Sequence, residues 1–558
     1  MAYGPVPRRS VLHHPDHHGP VDVRAVQSRP DRRAAQPAGQ DDGVLHAGVH
    51  DRPVPPLRVG TEPLLRRQQH LQHPTAIPHR EAAAPGAGEE DLGARDRGLG
   101  TVLSDPIVAL ATPPGRSALA LIRLSGRGAF DVAARALRPF RVEPARAVHR
   151  VQVVHPATGE RVDDGLAASF PGPRSYTGED LVEISTHGGL VAPAAAVAVL
   201  VAAGARPAAP GEFTRRAVLN GKLDLLQAEA TGDLIDAGSP AQARRALQQL
   251  ERGLSTRLER LRADLLELEA LIAYDIDFPD EDEGPVAPER VEHAWLAARD
   301  RIAQLLATAP EGERLREGAL LVIAGRPNAG KSSLFNALLG TDRAIVTEVP
   351  GTTRDAIEAH AVLEGFPFRL VDTAGLRSSD DRVEKIGIEV SRKYLAAADL
   401  VVFCREEAGA GAGAGSRERY DRERDRFLAK VRAPLIVVDT KIDLVDRPTA
   451  RPPDRLGVSA VTGEGLAELR RRLAETAFGR LLALGDVEPV VTRARHRAAL
   501  ERALTEVEAF RVARASGVDA AATATHLRAA MGALDDLIGV VTPDDVLDRV
   551  FASFCVGK

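Results

Sequence analysis

Apolar and polar positions repeat with two different periods along the chain, and each period predicts a different kind of domain. Between residues 106 and 213, the short apolar runs Ile107–Ala111, Ala118–Leu124 and Leu181–Ser185 alternate with helical patterns and Gly/Pro turns. This alternation is typical of a compact α+β domain, which we place at residues 104–221.

Helical spacing dominates after Asp224. Apolar residues at intervals of three or four predict one apolar stripe, made of Leu247, Leu250, Leu254, Leu258, Leu261, Leu265, Leu268 and Ile272. The acidic stretch Phe278–Pro288 interrupts the stripe, and a further helical run reaches about Arg316. Helical spacing returns after residue 490, at positions that include Leu500, Leu504, Val507, Leu547, Val550, Phe551 and Phe554.

Four apolar runs between these helical parts predict strands buried on both faces, as in a parallel sheet: Ala319–Ala324, Phe368–Asp372, Leu400–Cys404 and Leu435–Asp439. We place this α/β unit at residues 317–479, with the Ala/Gly repeat at 408–415 as a flexible surface loop or crossover insertion. The flanking helical parts, residues 222–316 and 480–558, each have an apolar face that needs a partner. Packing these faces together makes one discontinuous helical domain with the α/β unit inserted into it.

The first hundred residues follow neither period. They hold nine of the sixteen histidines and thirteen of the 38 prolines. Such a segment buries too little apolar surface to offset its ordering entropy, so residues 1–103 are predicted to be disordered. A histidine-rich tail that binds metal or nucleic acid is one interpretation. We favour a solvated extension or a start codon assigned too early, because recognisable organisation begins abruptly at Ser104–Pro106.

Composition excludes several classes of protein. With 44% hydrophobic and 27% charged residues, the 558-residue chain is globular rather than fibrous, and its net charge of −5 gives no general attraction to nucleic acid. Its two cysteines lack metal-ligand spacing, which favours a reducing, cytoplasmic location. No apolar run is long enough to span a membrane; Leu190–Ala205 comes nearest and is interpreted as a buried helix. Only seven of the 73 basic residues are lysine, so lysine marks sites that need a compact ammonium group.

A phosphate-binding loop is predicted at Gly325–Ser332, directly after an apolar strand and before the helix Ser333–Leu339. Backbone amides and the helix N-terminus would hold the phosphates through Asn328, Ala329, Gly330, Lys331, Ser332 and Ser333. Lys331 reaches the β- and γ-phosphate oxygens and Ser332 ligates Mg²⁺. Asp372 and Gly375, at the end of a later strand, supply a carboxylate near the metal and an amide for the γ-phosphate.

The base is predicted to be guanine. Asp443, in the segment Thr440–Asp443 after a strand, can accept both N1–H and N2–H of guanine, while the stem of Lys441 lies along the base. Adenine lacks this pair of donors, so the pattern favours GTP over ATP. Ser459 and Ala460 are the expected backbone contact to guanine O6.

The polar segment Thr347–Asp355 can become ordered around Mg²⁺ and the γ-phosphate, with Thr353 as the predicted metal ligand. Leu376 occupies the position at which Ras-like proteins carry the glutamine that orients the attacking water. Asp380, Asp381 and Glu384 are carboxylates that could replace it, and a solvated acidic face is the other interpretation of this cluster.

These motifs resemble the TrmE-Era-Septin-like branch of translation-factor GTPases, except that Thr440 stands where asparagine is usual. Further motifs flank this region: Ser175–Asp180, His187–Gly189, Pro210–Thr214, Asn220–Ala230 and the terminal Phe554–Lys558. Taken together, residues 105–558 resemble the tRNA-modification GTPase family MnmE (TrmE). The resemblance implies a multidomain α/β + α protein with an N-terminal α+β folate-binding-like domain, a discontinuous helical domain and an inserted Ras-like P-loop GTPase domain.

The family resemblance also implies a reaction and partners. Members form homodimers through the N-terminal domain and assemble with an FAD-dependent partner, MnmG (GidA), as a heterotetramer. Together they add an aminomethyl or carboxymethylaminomethyl group at C5 of the wobble uridine of certain tRNAs. The carbon comes from a tetrahydrofolate derivative, the 5-formyl or 5,10-methylene form.

By motif match, Arg123, Glu183, Lys222 and Lys558 would bind the folate. Arg123 and Glu183 could instead form an ordinary strand-edge ion pair, and Lys222 could cap a helix C-terminus. Cys555 matches a family position that allows a catalytic role in the modification, or it could be a small buried residue.

Hydrolysis in the family resembles a K⁺-activated mechanism in which two nucleotide domains dimerise. Asn328 and the loop oxygens of Thr347, Val349 and Thr352 match the K⁺ ligands, although Asn328 could also serve only to stabilise the turn. Glu384 matches the catalytic glutamate that orients the attacking water through a second water, and it would act together with Lys331.

Two other classes of GTPase share the nucleotide motifs. A ribosome-assembly switch that binds rRNA would need a module such as a KH domain, and no Gly-x-x-Gly loop between strand and helix is found after residue 480. A septin-like scaffold would show filament surfaces and slow turnover. Neither class gives a purpose to the motifs between residues 105 and 224 or to the terminal segment.

Overall fold

The computed structural model describes residues 105–277, 286–326, 328–340, 358–372, 393–406, 431–445, 452, 455–485, 488–539, 544–552 and 554–558. The predictions for residues 1–103 and for the Ala/Gly repeat at 408–415 lie outside these residues.

The first domain is built on a seven-stranded sheet. Its strands are β1 (Ile107–Leu110), β2 (Gly115–Ser125), β3 (Leu137–Arg138), β4 (Val148–Val154), β5 (Arg161–Phe170), β6 (Leu181–Gly189) and β7 (Arg206–Pro207), in the order β3-β4-β5-β6-β2-β1-β7. Helices α1 (Ala129–Ala136) and α2 (Ala192–Ala202) supply apolar residues to the core that also contains Ile122, Val182 and Ile184 of the sheet. The three predicted strands are therefore confirmed.

The apolar run from Leu190 to Ala205 forms a helix, but its first residues are not buried. Pro193 stands in the first turn of α2, where a missing N–H costs nothing, so the helix starts at Ala192. Leu190 and Val191 precede it and are 74% and 79% exposed. Buried residues of α2, such as Val199 and Leu200, pack in the core.

Six helices follow: α3 (Glu212–Leu219), α4 (Leu225–Ile235), α5 (Pro240–Leu250), α6 (Gly253–Asp277), α7 (Pro288–Leu306) and α8 (Ala309–Glu317). The prediction of one continuous stripe from Leu247 is wrong. Arg252, between α5 and α6, has a left-handed φ of 67°, and Leu247 is 47% exposed. The stripe is buried from Leu254 to Ile272, on α6 alone.

The central unit is a six-stranded sheet of β8 (Ala319–Gly325), β9 (Glu358–Leu363), β10 (Phe366–Asp372), β11 (Leu400–Glu406), β12 (Leu435–Thr440) and β13 (Arg455–Val458). The order is β13-β12-β11-β8-β10-β9, and every neighbouring pair is parallel except β10 with β9. Helix α9 (Lys331–Leu339) follows β8, and α10 (Leu466–Leu484) follows β13. The four predicted parallel strands are confirmed.

Helices α11 (Ala494–Ala515), α12 (Ala520–Ile538) and α13 (Asp544–Ala552) complete the chain. Helices α11 and α12 share one apolar core with α6 and α7. Trp295 of α7 is fully buried there, and its indole N–H donates to the carbonyl of Val507 at 2.8 Å. The helical segments before and after the central sheet therefore pack on each other, as their unpaired apolar faces predicted. Within the described residues, no helix is long and apolar enough to cross a membrane.

Candidate functional site

The loop between β8 and α9 has the backbone conformation of a phosphate-binding loop. Gly325 has a φ of 146°, and a Cβ there would lie 2.4 Å from the carbonyl oxygen of Cys404. Asn328 and Gly330 adopt left-handed φ values of 64° and 74°, and α9 begins at Lys331. The amides at the start of α9 and their helix dipole therefore meet at the end of β8, which makes an anion site.

An ammonium group, a hydroxyl and a carboxylate lie together at this loop. Lys331 is buried, and its ammonium group donates to the carbonyl of Arg326 at 2.6 Å. The Ser332 hydroxyl donates to Oδ2 of Asp372 at 2.6 Å, because β10 and β8 are adjacent and parallel. A hydroxyl and a carboxylate oxygen are hard ligands of the kind that Mg²⁺ prefers. The donor set therefore fits a Mg²⁺ ion beside an anion held by Lys331.

Thr440 lies behind the phosphate loop rather than facing the base position. Its hydroxyl is 2.8 Å from the carbonyl of Ala329 and 3.2 Å from that of Arg405, and the residue is only 4% exposed. The side chain thus holds the loop to the end of β11. The loop is therefore supported with threonine at this position.

The predicted guanine contacts lie on the loops after β12 and β13. Asp443 is exposed on a single 3₁₀ turn (Ile442–Leu444), and the ammonium group of Lys441 pairs with Glu406 at 2.8 Å. The amide of Ser459 already donates to the carbonyl of Glu464 at 2.9 Å. Of the two residues predicted to contact guanine O6, Ala460 is therefore the better amide donor.

Several predicted site residues lie outside the described residues: Thr347, Val349, Thr352, Thr353, Gly375 and Glu384. Of the proposed K⁺ ligands only Asn328 is described. It is exposed, on the loop that precedes α9.

A second cluster of predicted residues forms where the chain's last residues meet the first sheet. Arg123 and Glu183 lie opposite each other on β2 and β6, and Nε of Arg123 is 3.0 Å from Oε1 of Glu183. The same guanidinium donates to the carbonyl of Gly557 at 3.4 Å and lies 5.4 Å from the ring centre of Tyr176. The strand ion pair is therefore real, and it also contacts the C-terminal tail.

Backbone hydrogen bonds hold the tail in place. The amide of Phe213 donates to the backbone oxygen of Lys558 at 3.2 Å. A Cβ on Gly557 would lie 2.6 Å from the carbonyl oxygen of Leu110, so the tail packs closely against β1 at this residue. Burial, reinforced by the nearby charge of Arg123, lowers the pKa of Lys558. A carboxylate, a guanidinium and a partly desolvated amine thus converge on one small surface.

The other two candidates stand at the edge of this cluster. The ammonium group of Lys222 donates to the carbonyl of Pro173 at 3.1 Å, on the loop that carries Tyr176, while its backbone amide donates to the carbonyl of Ala217 at 2.8 Å and caps the end of α3. Cys555 is exposed, so the interpretation of a small buried residue is wrong. The other cysteine, Cys404, is buried behind Gly325, and burial raises the pKa of its thiol to about 12.

Sequence reasoning missed the residues that position this surface. The guanidinium of Arg216 is 1% exposed and bonds Glu179, Glu212 and the backbone of Asp105 at 2.9–3.1 Å. Two arginines and a backbone amide donate to the carboxylate of Glu212 and lower its pKa to about 2. Glu179 belongs to the same loop as Tyr176, so Arg216 fixes that loop. In an arginine-rich chain, nothing in the sequence distinguishes Arg216 from a surface residue.

The first and last parts of the chain match models of known families. Residues 106–222 match the model described as GTP-binding protein TrmE N-terminus, and residues 225–555 match the MnmE helical domain.

Curated relatives match over nearly their whole lengths. The tRNA modification GTPase MnmE of Moorella thermoacetica is 41% identical over 475 residues, which cover 82% of this chain and all of that protein. The protein of the same name from Thermus thermophilus is 43% identical over 464 residues, covering 82% of this chain and 99% of the relative. The protein of the same name from Aquifex aeolicus is 39% identical over 462 residues, which cover 82% of this chain and all of that protein.

Proposed function

Because the chain belongs to the MnmE family of tRNA-modification GTPases, we propose that it binds and hydrolyses GTP and couples hydrolysis to the modification of a tRNA nucleotide. The observation that carries this proposal is the phosphate loop between β8 and α9, with Ser332 on Asp372 and Thr440 holding the loop. A ribosome-assembly switch or a scaffold would leave the match of residues 106–222 unexplained.

The modification that we propose is the addition of an aminomethyl or carboxymethylaminomethyl group at C5 of the wobble uridine. The chain would act with an FAD-dependent partner of the MnmG (GidA) type, in a heterotetramer. Support comes from the cluster of Arg123, Glu183 and Lys558, whose carboxylate and cations suit the polar ring and acidic tail of a folate. The tetrahydrofolate derivative would supply the one-carbon unit. Arg123 and Glu183 would orient it, and Lys222 would bind at the edge of the site.

Deleting the gene tests this proposal. We expect C5-modified wobble uridine to disappear from bulk tRNA and unmodified uridine to replace it, as measured by mass spectrometry of tRNA nucleosides. Restoring the wild-type chain should restore the modification. A chain with Lys331→Ala should not, since the loop would lose the cation that offsets the phosphate charge. Chemically normal anticodons in the deletion strain would contradict the proposed reaction.

The residues of the nucleotide site would bind GTP and its Mg²⁺ ion. Amides at the start of α9 would hold the phosphates, Ser332 and Thr353 would ligate Mg²⁺, and Asp443 would recognise guanine. The Ser332–Asp372 hydrogen bond supports the metal site, because it places the Ser332 hydroxyl 2.6 Å from a carboxylate that would lie in the second shell of the metal. Residues of this chain thereby bind and orient the nucleotide.

The open face of the first sheet supports a homodimer formed by the N-terminal domain. Leu119 on β2 and Leu166 on β5 are 63% and 46% exposed. Through the strand register, Leu121 and Ser185 lie between them on the same face. The same face also carries the polar residues His187, Arg123 and Glu183, so a second copy would meet a surface with both apolar and polar contacts.

GTP turnover in K⁺ compared with Na⁺ tests the proposed mechanism of hydrolysis. We expect turnover to be at least about tenfold faster in K⁺ at equal ionic strength. A K⁺ ion bound by Asn328, Thr347, Val349 and Thr352 would offset the charge that develops between the β- and γ-phosphates. Steady-state phosphate release should show the difference, and Asn328→Ala should remove it. Equal rates in the two salts would contradict K⁺-dependent dimerisation of the nucleotide domains.

A further inference from the structure

A groove of about 400 Å³ shares no lining residue with either site described above. It runs between α6, α7, the end of α10 and the segment that leads to α11. Arginines dominate its polar lining: Arg257 and Arg260 on α6, Arg301 on α7 and Arg480 on α10. The linker residues Glu488 and Pro489 close one side. Its volume falls within the ~300–1,000 Å³ that ligand sites occupy.

The four arginines differ in the ion pairs and hydrogen bonds that their side chains form. Nη2 of Arg257 is 2.6 Å from Oε2 of Glu488, and Arg301 pairs with Asp264. Arg480 donates to the carbonyl of Ala307 at 2.8 Å. Arg260 is exposed and has no side-chain hydrogen bond or ion pair among the described residues. Four cations thus line the groove with one carboxylate, Glu488, and Asp264 lies outside the lining as the partner of Arg301, so the groove has a net positive charge in a chain whose overall charge is −5.

The pairs that exist are accessible to solvent. Side chains of Arg257 and Glu488 are 40% and 46% exposed, and those of Arg301 and Asp264 are 48% and 30% exposed. Exposed ion pairs of this kind contribute only ~0–1 kcal/mol each, so a phosphate group can replace the carboxylate at little cost. The carboxylates meanwhile hold the guanidinium groups at the groove, ready for bidentate contact with phosphate oxygens.

We propose that this groove binds the phosphodiester backbone of the tRNA substrate. The proposal rests on the proposed function, which makes tRNA the substrate. Among the described residues, no aromatic side chain lines the groove on which a base could stack. The contacts therefore position the RNA through its phosphates and do not read its sequence.

Binding here would also join two parts of the chain. Arg257, Arg260 and Arg301 belong to the helical layer, whereas Arg480 is near the end of α10, the helix that follows the last strand of the nucleotide unit and bends at Phe478. Glu488 lies in the segment that connects the two. A backbone seated across the groove touches both sides of this connection, so RNA binding and the position of the nucleotide unit become linked.

Binding of a fluorescent tRNA transcript to the full-length chain, alone and with its FAD-dependent partner, tests the site. We expect Arg260→Ala to weaken binding about fivefold, equally for different tRNAs. The triple variant Arg257→Ala/Arg260→Ala/Arg301→Ala should also lower the dependence of log K on log salt concentration by about 2 to 3. Arg260→Lys should retain most of the affinity, since a point charge still reaches a phosphate. The matched control is Arg290→Ala, an exposed arginine at the other end of α7, which should bind like the wild type.

The outcomes separate the site from the proposed function. Equal affinities and equal salt slopes for the wild type and the triple variant would overturn the groove as an RNA site. Failure of the wild type to bind any tRNA, alone or with the partner, would overturn the proposed function together with the groove. Inorganic phosphate at matched ionic strength should not displace the transcript, whereas heparin should. Displacement by phosphate alone would assign the groove to a small anion and overturn the RNA proposal.

Discussion

Glu384→Ala should reduce GTP turnover by at least about 100-fold while leaving GTP affinity within a factor of about three. Leu376 cannot orient water, so another group must hold the nucleophile in line with the γ-phosphate. We propose that the carboxylate of Glu384 does this through a second water. Its removal then affects the transition state and not the bound ground state. Glu384 itself lies outside the described residues.

Two measurements are needed for this prediction. Single-turnover hydrolysis in K⁺ reports the chemical step, and titration of a fluorescent GTP analogue reports affinity. Asp381→Ala is the matched control, because it removes a neighbouring carboxylate from the same acidic cluster and should leave turnover within about threefold. If affinity for GTP falls in step with turnover in Glu384→Ala, the residue is structural and the mechanism is wrong.

Glu229→Gln should lower the free energy of unfolding by about 3 kcal/mol. This change is similar in size to the rise in the activation free energy of hydrolysis expected for Glu384→Ala. Glu229 of α4 is 1% exposed and bonds Nε and Nη2 of Arg495 at 2.5 and 2.7 Å. Nε2 of His496 lies 2.7 Å from Oε2, the oxygen that also accepts from Nη2 of Arg495, and Nη1 of Arg493 is 3.6 Å from Oε1. Glutamine keeps the size of the side chain but removes the charge that these donors require.

Urea denaturation followed by circular dichroism at neutral pH measures this loss. Glu259→Gln provides the same chemical change at an exposed ion pair, with Arg252, and should lower the free energy of unfolding by less than about 0.5 kcal/mol. Equal shifts for Glu229→Gln and Glu259→Gln would show that the buried carboxylate contributes no more than a surface one.

The same cluster predicts a direction for the pH dependence. Burial lowers the pKa of His496 below its usual 6.5, and Nδ1 has no hydrogen-bond partner among the described residues, as befits a neutral ring. The unfolded chain therefore binds this proton more readily, and stability falls as pH drops below about 6.5. Although burial opposes its charge, its cationic partners hold the pKa of Glu229 well below the usual 4.5, which adds a further loss below that pH. The urea concentration at the unfolding midpoint should thus decrease when the pH is lowered from 7 to 5. In His496→Gln this decrease should be smaller.

Local patterns predicted four of the six strands described for the nucleotide unit and the helix after its glycine loop, but they did not predict β9 or β13. The four predicted parallel strands lie within β8, β10, β11 and β12, and a helix follows the glycine loop. Each of these features depends on neighbouring residues: runs of apolar side chains, left-handed positions at Gly330, and a helix that begins at Lys331. Short-range patterns failed where a turn interrupts a period, as Arg252 does between α5 and α6.

Sequence by itself therefore determined the parts whose hydrogen bonds and burial arise within a strand, a turn or a helix, and its motifs pointed to the family. Only the tertiary structure decided what meets across the chain. It brings the carbonyl of Gly557 to the guanidinium of Arg123, places Glu229 beside His496, and puts Arg480 in the same groove as Arg260 of a helix distant in sequence. The physical reason is that the sequence shows which side chains are charged but not whether the folded protein leaves them in water or buries them. Whether an arginine or a glutamate is a solvated surface group or a buried ion depends on the partners that packing brings to it.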